Sequence, residues 1–146
     1  HAGRRERLLI SGFLCYLCLY CVAGRKLQMD RTPALIKRDQ WAREPDQWVG
    51  RFEGMSVGTN VTVLFYATET IGAGPLLQVH TYDEVFIIRE GRARFTIGEQ
   101  TLEAQAGEIV FGPANIPHKF ENIGPGRLET TDIHLSEKFE QTVLED

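Results

Sequence analysis

"QVHTYDEVFIIREG", residues 78–91, sets a lone histidine and a glutamate four places apart, just ahead of an apolar run that a glycine closes. Val85, Phe86, Ile87 and Ile88 are β-branched or aromatic, the residue types that suit a pleated, half-buried surface. In an extended segment Gln78 and His80, two apart, project to the same face. Glu84 keeps their parity beyond a bend. Polar side chains sent inward beside such a run must find partners there, because an unpaired buried polar group is costly.

The text on either side repeats the strand pattern. In "NVTVLFYATET", Val61, Val63, Phe65 and Ala67 alternate with Thr62, Leu64, Tyr66 and Thr68, a period of two. Further strands are predicted over 77–80, 85–89, 92–97, 100–104, 108–111, 118–122 and 128–135. Between them "EGR", "IGEQ", "AGE", "GPANIP" and "IGPGR" supply glycine or proline where turns need special backbone angles. Short strands at even spacing imply a sandwich or barrel. The closing "SEKFEQTVLED" reads as a helix, with Ser136 as N-cap and Phe139 and Val143 on one face. Residues 30–50 read as an irregular approach with one short strand, and Trp41 and Trp48 as packing or dimer-interface residues. The predicted class is all-β, a small antiparallel barrel with a short C-terminal helix.

Bulk properties bound the function. The chain has 146 residues, 42% apolar and 25% charged, enough for one domain of ordinary globular composition. Its net charge is −4; from Met29 onward 11 basic and 19 acidic residues give 11 − 19 = −8. Such a balance lends no support to a nucleic-acid or anionic-membrane partner. Cys15, Cys18 and Cys21 all fall in residues 1–28, so the body from residue 29 has neither a disulfide nor a thiol nucleophile. Its histidines are His80, His118 and His134.

Residues 1–28 form an apolar extension, flanked by Arg4, Arg5, Arg7, Arg25 and Lys26, that reads as non-native, mis-started or signal-like sequence. Residues 29–146 are expected to form a single domain. The expected location is cytoplasmic, or exported or membrane-associated if the extension is native.

The spacings in the body resemble the two motifs of the cupin superfamily. Gly72, five residues, Gln78-Val79-His80, three residues, Glu84, six residues and Gly91 follow the first motif, which carries His-x-His where this chain has Gln78-Val79-His80. Gly107, five residues, Pro113-Ala114-Asn115, two residues, His118, three residues and Asn122 follow the second, with Asn115 in a glycine position. Asparagine tolerates the left-handed backbone that glycine serves there. "TYDE", "EGRARFTIGE" and "PHKFEN" are similar to the text of small stand-alone cupins.

The resemblance implies a double-stranded β-helix, or jelly roll, with one divalent transition metal (Fe, Mn, Zn, Ni or Cu) held by Gln78, His80, Glu84 and His118. Gln78 is the departure that matters, since an amide oxygen is a weaker donor than imidazole. His80, Glu84 and His118 remain, a set that suits such metals. Tyr82, Phe86, Phe120 and His134 are expected around the pocket, His134 as a structural or rim residue, and Glu84 doubles as a base. Three functions are compatible. One is a metal-dependent enzyme on a small organic molecule, with dioxygenation favoured. The second is a small-molecule-binding or sensor barrel in which metal is absent or structural. The third is a metal-assisted sugar isomerase or epimerase. Homodimerisation is expected, because a small barrel leaves sheet edges that need cover.

Overall fold

The period-two patterns become ten strands in the computed structural model, which describes residues 31–146. They are β1 (Gly50–Glu53), β2 (Thr62–Thr68), β3 (Gln78–Val79), β4 (Glu84–Glu90) and β5 (Arg92–Ile97). β6 (Gln100–Gln105), β7 (Ile109–Gly112), β8 (His118–Asn122), β9 (Leu128–His134) and β10 (Thr142–Val143) complete the set. One five-stranded sheet runs β1-β2-β9-β4-β7 and the other β10-β3-β8-β5-β6, with antiparallel neighbours throughout. Residues 1–28 lie outside the described residues.

Alternation places one residue in two inside. Glu84, Phe86 and Ile88 of β4 face Leu128, Thr130, Asp132 and His134 of β9, and all are buried. From the other sheet come Ala93, Phe95 and Ile97 of β5 and His118, Phe120 and Asn122 of β8. Phe86, Phe95 and Phe120 meet with ring centroids 5.1, 5.2 and 5.8 Å apart. Burying each such side chain contributes roughly 1.5–3 kcal/mol. The interior is thus divided: aromatic and aliphatic groups fill the middle, and Glu84, His118 and His134 occupy the strand ends beyond it.

The approach segment holds one turn of helix, Arg38–Trp41, and in place of the strand expected within it only an isolated bridge from Ala42 to Gly50, where β1 begins. Trp41 and Trp48 pack on Phe65 at 3.9 and 5.1 Å, and Trp48 Nε1 donates to the Thr130 carbonyl at 3.2 Å. Among the described residues no helix is long and apolar enough to cross a membrane.

The predicted C-terminal helix does not form. After a bend at 135–138 the chain runs as a strap across the barrel end, with Thr142–Val143 paired to β3 and the Leu144 N–H on the Leu77 carbonyl at 2.8 Å. An isolated helix of this length is marginal in water. Here Phe139 and Glu140 gain more by reaching the site described below.

Two turn glycines differ in what they require. Gly107 has φ +92° and open space where a Cβ would go, whereas Gly91, at φ +80°, would drive a Cβ into the Arg127 carbonyl oxygen. Gly107→Ala is expected to cost about 1–2 kcal/mol, the left-handed penalty alone. Gly91→Ala should cost at least twice as much, read as the drop in urea midpoint at constant slope; equal losses would contradict the close approach at Gly91.

Candidate metal centre

Two cross-strand pairs meet at the polar end of the barrel. β4 and β9 set Glu84 opposite His134, and β3 and β8 set Gln78 opposite His118. His80 follows β3 in the loop, where its carbonyl accepts the Asn115 N–H at 2.7 Å. Asn115 has φ 62°, the left-handed value expected of the glycine position it occupies. The Ala114 N–H bonds Asp83 Oδ1 at 2.8 Å, so the turns of the two sequence motifs brace each other.

Glu84 is the hub. His80 Nε2 and His118 Nε2 lie 3.2 and 3.0 Å from its Oε2, and His134 Nε2 lies 2.9 Å from its Oε1. All four side chains are almost wholly enclosed. Burial opposes ionisation of Glu84, but its contacts with His118, His134 and His80 outweigh that and hold the carboxyl well below the usual carboxylate range. Burial likewise disfavours charge on His118, yet the bond to Glu84 wins and raises its pKa.

The other ring nitrogens reveal the tautomers. His80 Nδ1 is 2.7 Å from the Glu140 carbonyl oxygen and His118 Nδ1 is 2.9 Å from that of Ile116. Each Nδ1–H therefore donates outward, the arrangement that orients metal-binding imidazoles; His80 Nε2 is then the inward lone pair, whereas His118 Nε2 is hydrogen-bonded to Glu84 Oε2 at 3.0 Å. His80 Nε2 and His134 Nε2, although close to carboxylate oxygens, have no aligned hydrogen bond, and His134 Nδ1 has none either. Buried nitrogens crowded on a carboxylate without hydrogen-bond alignment suit donors that converge on a shared cation. His80, Glu84 and His134 offer atoms all within 4.8 Å of one another; His118, expected as a ligand, falls outside that group and reaches Glu84 Oε2 at 3.0 Å. Imidazole nitrogen with a carboxylate fits a divalent transition metal.

The other predicted residues take distinct places. Gln78, buried, lines the cleft that leads to Glu84. Phe120 lines it too, while Phe86 is a core residue, edge-on beneath His118 at 5.8 Å, and not part of the cleft lining. Tyr82 stacks on His80 at 5.0 Å and 13°. Its hydroxyl donates to the Glu140 carbonyl at 2.7 Å and accepts the Glu140 N–H at 3.1 Å. His134 stands among the metal-type donors at 0% exposure, not at the rim.

Sequence reading missed that position of His134, the strap, and Asp132. Phe139 of the strap lies 5.3 Å from the His134 ring and 6.0 Å from that of His80. Asp132 lines the cleft; burial, then the charge on Glu84, raises its pKa well above the ordinary carboxyl value. The shared parity of Leu128, Asp132 and His134 was the available signal.

Residues 67–134 match the family model described as "Cupin domain". The described barrel is a cupin. It is similar in fold to oxalate decarboxylase of Bacillus subtilis, a protein with Mn(II) centres, at TM-score 0.61 and 23% identity over 65% of this chain and 27% of that one. An uncharacterized protein of Streptomyces coelicolor is 36% identical over 64 residues, 44% of this chain and 60% of that protein. One from Methanocaldococcus jannaschii is 38% identical over 55 residues, 37% of this chain and 44% of that protein. The matches thus span less than two thirds of each relative.

Tyr82→Phe removes both bonds to Glu140 and loosens the carbonyl that orients His80. Chelator competition should show metal retention weakened about tenfold, the usual scale for such supporting groups; unchanged retention would contradict the role given to the strap.

Proposed function

We propose that this cupin is a divalent-metal-dependent enzyme acting on a small organic molecule, with dioxygenation the favoured reaction. His80, Glu84, His118 and His134 would hold the ion. The observation that carries the reading is His134. With Gln78 in place of a motif histidine, the site loses an imidazole on one strand, and His134 supplies one from β9, directly opposite Glu84. A bound divalent transition metal would act as a Lewis acid on a substrate oxygen and, if redox-active, would activate dioxygen. The protein side chains have separate tasks. The carbonyls of Glu140 and Ile116 fix two ring tautomers, and Phe139 shields two of the imidazoles. Glu84 is assigned to holding the ion.

The sensor reading drew its support from Gln78, and a third imidazole at the centre removes that support. An isomerase for phosphosugars would need cations in the cleft. Arg89, Arg92, Arg94, Lys119 and Arg127 instead pair with Glu129, Glu103, Glu121, Glu145 and Glu69, and none of them lines the cleft; the cations that do, Arg43 and Arg51, are exposed, and Arg51 is paired with Glu53.

Elemental analysis of purified protein should find up to one divalent transition metal per chain. His134→Ala is expected to lower metal affinity at least tenfold, and Gln78→Ala less than threefold. Oxygen uptake with catechol or oxalate, abolished by chelator and restored by Fe(II) or Mn(II), would support oxygenation; carbon dioxide release without oxygen uptake would contradict it. Full metal affinity in His134→Ala would overturn the ligand assignment.

A further inference from the structure

The cleft leading to the centre holds about 620 Å³, within the usual range for small-molecule sites, roughly 300–1,000 Å³. Its two ends differ in chemistry. The deep end presents Gln78, Glu84 and Asp132, all buried. Asp132 is 4% exposed, and its Oδ1 is enclosed without a hydrogen-bond partner. Leaving such an atom unpaired is unfavourable unless a ligand or water satisfies it. The walls are apolar: Leu64, Phe120 and Phe139 line the space, and Tyr66 stands edge-on to Phe120 at 5.3 Å. The lining cations, Arg43 and Arg51, are exposed, and Arg51 is already paired with Glu53 at 3.3 Å and laid over the Phe139 ring at 5.2 Å.

These features select among ligands. Oxalate offers acceptors only, so it would set a carboxylate oxygen against Asp132 Oδ1 with no donor between them. It would also leave the aromatic walls without a partner. A flat ring with hydroxyls on one edge matches both ends, because the walls offer stacking and edge contacts and Asp132 Oδ1 offers an acceptor.

Resting on the metal-enzyme reading above, we propose that the cleft takes a small aromatic molecule carrying adjacent hydroxyl groups, entering hydroxyl edge first. Asp132 Oδ1 accepts a hydrogen bond from that edge, while Tyr66, Phe120 and Phe139 pack the ring. The substrate class therefore differs from the oxalate of the fold's structural neighbours.

Calorimetric titration tests this with catechol, trans-cyclohexane-1,2-diol and oxalate, on Mn(II)-loaded and on chelator-treated protein, after metal uptake has been measured separately. Catechol should bind at least tenfold more tightly than either competitor. Tyr66→Leu, with folding checked by circular dichroism, should weaken catechol about fivefold and leave oxalate unchanged. Oxalate binding as tightly as catechol, or catechol unaffected by Tyr66→Leu in a folded protein, overturns the proposal. Absence of metal uptake sinks the enzyme reading alone; the ligand class then falls only if catechol does not outbind oxalate on the metal-free protein.

Discussion

A carboxylate buried at the end of a β-barrel, with three imidazole nitrogens within 3.2 Å of its oxygens, is the constraint on which this molecule turns. Removing a charge from water is unfavourable by several kcal/mol, and the cost is recovered only where opposite charge and hydrogen bonds surround it. Here three imidazoles surround it, and the outward nitrogens of two, His80 and His118, are committed to backbone carbonyls. The inward nitrogens and the carboxylate then converge on the place a cation would occupy. The two sheets, the braced motif turns and the strap all serve to keep those donors in place.

The division of the interior explains how one small fold supports both stability and a site. Phe86, Phe95 and Phe120 form the packed middle, and the same strands carry Glu84 and His118 at their ends. Phe86 touches the His118 ring from below, so the core sets the floor of the centre. Above it the C-terminal strap closes the site through Phe139 and the Glu140 carbonyl, itself clamped both ways by Tyr82. Glu145 fastens the far end, accepting from the Leu77 N–H and from Lys119 Nζ.

Much of this was legible before any coordinates. β5 and β8 begin and end where alternation and flanking turns place them, because each is bounded by glycine, proline or both. The inward parity of Gln78 and Glu84 and the arrival of His118 from another strand followed from spacing. Two things did not. Helical spacing in the last residues was overridden by contacts to residues about 60 positions away, such as Tyr82 with Glu140, which no local pattern records. His134 was visible as an inward residue, but its place opposite Glu84 depends on the β4–β9 register, a pairing of strands distant in sequence.

X-ray absorption spectroscopy of the Mn(II)- or Zn(II)-loaded protein measures the central claim most directly, because multiple scattering counts imidazole rings around the ion. The account predicts three rings in the wild type and two in His134→Ala. Two rings in the wild type, unchanged by that substitution, would contradict it.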